Sequence, residues 1–128
     1  MSSKQILIID DDEDLCEGLS YILEDEGYHV RYASDVDKGV ELIEEHIFDI
    51  ALFDYKMPRL TGIDMLKKIK AKNPGTKVLI VSGKPFMKKL LKEKKVDKLV
   101  ECVIVKPFTE KTLLEAIRNK IPSDGQEP

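Results

Sequence analysis

The feature that most constrains the fold of this chain is a set of short apolar runs that alternate with segments of helical periodicity. Four of these runs are uninterrupted quartets of apolar residues, at 6–9, 50–53, 78–81 and 102–105. The stretch YHVRYAS at 28–34 predicts one further strand. Because strands that alternate with helices form βαβ units, the pattern predicts a parallel sheet flanked by helices.

The segments between the runs have the spacing of amphipathic helices. The first covers 13–27, with Leu15, Leu19 and Ile22 on one face and Gly27 as its stop. The other predicted helices cover 35–46, 63–73, 88–95 and 109–121. With 128 residues, the chain is expected to be one domain over 1–121, followed by a tail or truncated linker at 122–128.

Composition narrows the class of protein. With 42% hydrophobic and 35% charged residues, the chain resembles a soluble globular protein, and no apolar run is long enough to span a membrane. Its N-terminus lacks the pattern of a signal peptide. The two cysteines, Cys16 and Cys102, lack metal-ligand or disulfide-framework spacing. We therefore expect a cytoplasmic protein.

The charge is unevenly distributed. The segment 84–98 contains seven lysines and only two acidic residues. Such a stretch is either a solvated helix face or a docking surface for an acidic downstream protein. Direct binding of nucleic acid is disfavoured, because the segment has one aromatic residue, Phe86, and no arginine.

Each of the four quartets is followed by a polar side chain. These four residues are Asp10, Asp54, Ser82 and Lys106. In a parallel sheet the carboxyl ends of all strands lie along one edge, where open α/β sheets bind their ligands. The four side chains are therefore expected to converge in a single site.

The residue types at this edge suit phosphoryl transfer. Hard cations such as Mg²⁺ take oxygen ligands, and Asp10, Asp11 and Asp54 would supply carboxylates. A carboxylate can also act as the nucleophile that forms an acyl phosphate. The Lys106 amine and the Ser82 hydroxyl could then each contact one phosphoryl oxygen.

Four blocks of the sequence together resemble the receiver domain of two-component response regulators. They are ILIIDDDEDL, DIALFDYKMPRLTGIDML, VLIVSG and VIVKPF, and the resemblance covers roughly residues 5–121. It implies a flavodoxin-like, doubly wound α/β fold, with five parallel strands in the order 2-1-3-4-5 and five flanking helices. It also implies that the chain is a phosphoacceptor signalling domain and not an enzyme. The only reactions that it implies are self-phosphotransfer and autodephosphorylation. Its phosphodonor would be a sensor histidine kinase or a histidine phosphotransfer protein.

The resemblance also assigns roles to individual residues. It implies that Asp54 is the phosphoacceptor and that Ser82 and Lys106 contact the phosphoryl group. The implied cofactor is Mg²⁺, and its implied ligands are Asp10, Asp11, Asp54 and the backbone carbonyl of Lys56. No cofactor other than the metal is implied.

The chain departs from the family pattern at Val103, where an aromatic residue is usual. Lys56 and Lys84 occupy positions that resemble those that tune phosphoryl lifetime in the family. Two other readings remain open. One is a degenerate receiver that binds partners without being phosphorylated. The other is an aspartate-dependent phosphatase, although its Asp-x-Asp-x-Thr/Val pattern meets Asp14 here.

Overall fold

The computed structural model describes residues 4–55, 62–83 and 86–120. The five strands are β1 (Gln5–Ile9), β2 (His29–Ala33), β3 (Ile50–Asp54), β4 (Lys77–Ser82) and β5 (Cys102–Val105). The five α-helices are α1 (Glu13–Asp25), α2 (Val36–Glu45), α3 (Gly62–Lys72), α4 (Met87–Glu93) and α5 (Glu110–Lys120). A short 3₁₀ turn, Asp97–Leu99, precedes β5.

The strands form one parallel sheet in the order β2-β1-β3-β4-β5. The predicted fold class and strand order are therefore confirmed. Three of the apolar quartets lie in strands that are almost completely buried. Strand β3 is buried along its whole length, and β1 and β4 are buried except for their first residue. Runs that are apolar on both faces belong at the centre of a sheet that helices cover on both sides.

Helices cover the sheet in two layers. The helices α1 and α5 pack on one face, around a core that includes Leu19, Leu23 and Ile117. The helices α2, α3 and α4 pack on the other face, around a core that includes Phe53 and Leu66. In the part of the chain that the structure describes, no helix has both the length and the hydropathy needed to cross a bilayer.

The buried face of α1 differs from the predicted one. The structure buries Cys16, Leu19, Ser20 and Leu23, whereas Leu15 and Ile22 are only half-buried. The buried face is therefore shifted by about one residue from the predicted one, which corresponds to a rotation of about 100° around the helix axis. The polar Ser20 is part of the buried face, which hydropathy does not indicate.

The basic helix is shorter than the predicted 88–95, since α4 ends at Glu93. The next residues leave the helix at Lys95, which has a positive φ of 60°. The backbone N–H of Val96 then donates to the carbonyl of Leu91 at 3.0 Å, and the Val96 side chain is buried in the core. Burial of Val96 therefore accompanies the end of the helix.

Candidate functional site

Strands β1 and β3 form a switch point at the centre of the sheet. They are neighbours, with Ile9 opposite Phe53, so Asp10 and Asp54 lie side by side at their carboxyl ends. The chain leaves β1 toward α1 on one face of the sheet and leaves β3 toward α3 on the other face. The diverging connections open a crevice between the two strands, as at other switch points of doubly wound sheets.

Three carboxylates meet in this crevice. Asp10, Asp11 and Asp54 each offer an oxygen, and these atoms all lie within 4.8 Å of one another. Asp10 and Asp54 are only 4% and 9% exposed, whereas Asp11 faces solvent. Negative charges this close repel strongly where water is excluded, and a divalent cation would relieve that repulsion. The donor set of carboxylate oxygens fits Mg²⁺.

Lys106 brings a positive charge to the same crevice from the end of β5. Its Nζ lies 3.0 Å from Oδ2 of Asp54 and 3.4 Å from Oδ2 of Asp10. Its backbone N–H donates to the carbonyl of Ser82 at 2.9 Å, which extends the pairing of β4 with β5. The sheet thus fixes the base of the long lysine side chain, and the amine spans two strands to reach the acids.

The environment shifts the pKa of two of these groups. Burial raises the pKa of Asp10 above its ordinary value, and this effect exceeds the opposing effects of the hydrogen bond from Asp12 and the charge of Lys106. Burial by itself would lower the pKa of Lys106, but the hydrogen bond to Asp54 and the charges of Asp10 and Asp54 outweigh burial and raise it. Lys106 is therefore a firmly held cation at neutral pH.

The sequence did not predict two contacts that position Asp10. The backbone N–H of Asp12 donates to Oδ1 of Asp10 at 3.0 Å, which fixes the carboxylate from the α1 side. The buried Cys16 thiol donates to the backbone carbonyl of Asp10 at 3.3 Å. Burial raises the pKa of this thiol to about 12, so it remains protonated and can donate. The sequence feature that could have indicated this contact is a cysteine in the first turn of the helix that follows the acidic end of β1.

Asp12 itself is engaged elsewhere. Its side chain caps α1 by accepting from the backbone N–H of Leu15 at 3.1 Å. A phosphatase of the Asp-x-Asp type would use this second aspartate for catalysis, and Asp14 lies exposed in the first turn of the helix. The geometry therefore does not favour the phosphatase reading.

The structure brings together Asp10, Asp11, Asp54 and Lys106 as the sequence predicts. Ser82 lies at the same edge as the last residue of β4, buried at 2% exposure, and its carbonyl is joined to the Lys106 backbone. The Lys56 carbonyl, the Lys84 position and the tail at 122–128 lie outside the described residues. The crevice thus holds a carboxylate that can act as a nucleophile, with carboxylates and a cation beside it.

Comparisons with known proteins agree on one family for this chain. The sequence model of the response regulator receiver domain matches residues 6–118. The transcriptional regulatory protein ZraR of Escherichia coli (strain K12) is 40% identical over 78 residues, which are 61% of this chain and 18% of that protein. DltR of Streptococcus agalactiae serotype III (strain NEM316) is 29% identical over 114 residues, which are 89% of this chain and 50% of that protein.

Solved structures share the fold. A CheY-like response regulator receiver domain protein from Methanospirillum hungatei JF-1 superposes with a TM-score of 0.83 at 35% identity, over 93% of this chain and 94% of that chain. The chain spans at most half the length of the two regulatory proteins it resembles in sequence. The similarity therefore concerns only a part of each of those two proteins.

Proposed function

Because this chain belongs to the response regulator receiver domain family, we propose that Asp54 is its phosphoacceptor. The observation that supports this assignment most directly is the position of its carboxylate. Asp54 ends the buried central strand β3, has Asp10 beside it on β1, and lies 3.0 Å from the Lys106 amine. A carboxylate with a fixed cation next to it is poised to attack phosphorus and to have the new charge compensated.

The proposed step transfers a phosphoryl group from a histidine. A carboxylate oxygen of Asp54 forms a bond to phosphorus while the P–N bond of the donor phosphohistidine breaks, and the imidazole leaves with a proton from solvent. The donor would be a sensor histidine kinase or a histidine phosphotransfer protein. The Lys106 amine is close enough to Asp54 to contact an oxygen of the product, and the Ser82 hydroxyl is proposed to contact another.

Mg²⁺ is the proposed cofactor. Its ligands would be carboxylate oxygens of Asp10, Asp11 and Asp54, which the spacing within 4.8 Å permits, together with the backbone carbonyl of Lys56. When bound, the cation would supply positive charge next to the transferred phosphoryl group. The role of the chain's own acids would be to hold this charge beside Asp54.

The receiver is a phosphoacceptor signalling domain. We propose that its chemistry is limited to self-phosphotransfer and autodephosphorylation, with no turnover of an outside substrate. We also propose a cytoplasmic location, supported by two free thiols, Cys16 on α1 and Cys102 on β5.

The decisive experiment is labelling with a small phosphodonor. Incubated with Mg²⁺ and acetyl phosphate, the protein should gain a single phosphoryl group that is stable in acid and labile to base and hydroxylamine. The variant Asp54→Asn should not be labelled, because an amide cannot form the acyl phosphate. The matched control Asp14→Asn changes an exposed acid on α1 and should be labelled like the unsubstituted protein.

Two results would contradict the assignment. Equal labelling of Asp54→Asn would place the acceptor elsewhere. No labelling of the unsubstituted protein, by acetyl phosphate or by a phosphohistidine donor, would favour the degenerate receiver that binds without phosphorylation. Release of phosphate from a monoester substrate over many turnovers would instead support the phosphatase.

The described part of the basic segment suits an acidic downstream protein. Between 86 and 98 it carries six lysines against Glu93 and Asp97, and all six lysines are exposed. Such a surface attracts acidic partners mainly through long-range charge, so binding should weaken steeply as salt rises. Replacing Lys88 and Lys92 with glutamate should reduce capture of an acidic partner, whereas the same change at Lys67 and Lys111 should not.

A further inference from the structure

An open groove lies between α2 and α3, away from the carboxylate crevice. It has a volume of about 350 Å³. Val40, Ile43 and Ala71 contribute apolar atoms to it, and the charged side chains that line it are Glu44, Lys68 and Lys72. The groove thus has an apolar floor with charges on its walls.

The two walls carry opposite charge. Glu44 stands on α2, and Lys68 and Lys72 stand on α3. All three side chains are exposed, and neither lysine lies within ion-pair distance of Glu44 in the structure. Each wall therefore presents charge that is free to meet an opposite charge from outside.

An exposed apolar side chain adjoins the groove. Ile47, which follows α2, is 67% exposed. It lines a neighbouring depression that shares Ile43 and Lys72 with the groove. Ile47 therefore adds exposed apolar surface next to the groove.

The direction of the helices determines which partner fits. Since α2 and α3 each connect parallel strands on the same face of the sheet, they run side by side in the same direction. A two-fold axis along the groove would place α2 of one copy over α3 of the other. Glu44 of each copy would then meet Lys68 and Lys72 of its partner, and each contact would occur twice. We propose that the α2–α3 face is a self-complementary contact between two copies of this chain.

The size of the face sets the strength of this dimer. The helices have 10 and 11 residues, so each is about 15–17 Å long at 1.5 Å per residue. Two such helices bury well under the roughly 1,200 Å² that specific stable complexes bury in total. The dimer is therefore expected to be weak.

Charge reversal tests the pairing directly. Sedimentation of the full chain, up to about 1 mM, should show a monomer–dimer equilibrium that weakens with added salt. Glu44→Lys should weaken the dimer about tenfold or more, because like charges then face each other twice. The double variant Lys68→Glu/Lys72→Glu should do the same. Mixing these two variants should restore association, and so should combining all three substitutions in one chain.

Matched controls place the same charge changes outside the groove. Glu24→Lys on α1 and the double variant Lys98→Glu/Lys111→Glu change exposed residues outside α2 and α3 and should leave the equilibrium unchanged. Circular dichroism would verify that every variant is folded. A chain that stays monomeric at the highest concentration overturns the proposal and leaves the groove to a different protein. A dimer that survives both charge reversals also overturns it, because another face must then hold the two copies.

Discussion

The amine of Lys106 lies 3.0 Å from Oδ2 of Asp54 and contacts Asp10 at 3.4 Å with the same nitrogen. One cation therefore joins the ends of β1, β3 and β5. Along the chain, Lys106 is 52 residues from Asp54 and 96 residues from Asp10. If Asp54 is phosphorylated, new oxygens appear where this amine already points. The amine can thus favour the phosphorylated conformation, because it would contact a phosphoryl oxygen that the unmodified carboxylate lacks.

Lys106→Ala should uncouple phosphorylation from the conformational response. Labelling of Asp54 by acetyl phosphate should persist, because the nucleophile and the carboxylates remain. Changes in amide exchange or NMR shifts along β4 and β5 on phosphorylation should be strongly reduced. Lys111→Ala, an exposed lysine on α5, is the control. A full set of shifts in the Lys106 variant would assign the coupling to another residue.

Mg²⁺ should stabilise the protein before any phosphodonor is added. At one hundred times its dissociation constant it should increase the free energy of unfolding by about 2.7 kcal/mol, provided that it binds only the folded state. Asp11→Ala should reduce the affinity strongly, since it removes an oxygen ligand, whereas Asp14→Ala should have little effect. Thermal melts with Mg²⁺ and with EDTA would measure both. Identical melting temperatures for the unsubstituted protein would argue against a metal site.

Asp10→Asn should stabilise the metal-free protein at neutral pH. Burial raises the pKa of Asp10 above 3.8, so the folded state disfavours the charged form. Stability therefore falls as the pH rises from the ordinary value through the raised one, and the penalty is absent below both. The asparagine removes that penalty and keeps an acceptor for Asp12.

The advantage of Asp10→Asn should accordingly depend on pH. Melts in EDTA should show the largest difference from the unsubstituted protein near pH 7 and a shrinking one toward pH 4. The variant should also lose the response to Mg²⁺. A difference that stays constant across this pH range would mean that ionisation of Asp10 is not its cause.

Two glycines in helices should respond differently to alanine. Gly18 on α1 has nothing within 4 Å of the position a Cβ would take, so Gly18→Ala should stabilise the protein by about 1 kcal/mol through helix propensity. At Gly39 on α2 the new Cβ would lie 2.9 Å from Cδ1 of Ile9 and 3.3 Å from Cε of Met65. That overlap should cancel the gain in propensity. Urea unfolding would compare them, and equal stabilisation would show that the Gly39 site adapts freely.

The conformational response should centre on the basic segment and not on Val103. Val103 is half-buried against the α2–α4 core and, being β-branched, has a restricted χ1 and no ring to rotate. Hydrogen exchange with and without beryllofluoride, which mimics a phosphoryl group, should therefore change protection between 86 and 98. Changes confined to Val103 and α5 would contradict this expectation.

Strand positions and the main site residues could be predicted from the sequence because both depend on local pattern. The quartets of β1, β3 and β4 are buried in the interior of the sheet, whereas that of β5 lies at its edge, and the polar residue after each quartet lies at the carboxyl edge. Thus Asp10, Asp54, Ser82 and Lys106 could be grouped before any coordinates existed. The order of the strands was expected from family resemblance, and the pairings confirm it.

Other features depended on the tertiary structure, because they arise from contacts between distant segments. The burial of Cys16 and Ser20 on α1 reflects packing against the sheet, where the thiol meets the backbone of Asp10. The end of α4 coincides with the burial of Val96. The sequence determined which residues reach the carboxyl edge of the sheet, since the end of an apolar run at a polar residue is a local property. The structure alone decided that one amine bridges two acids, because that distance depends on how β5 is placed beside β4 and β3.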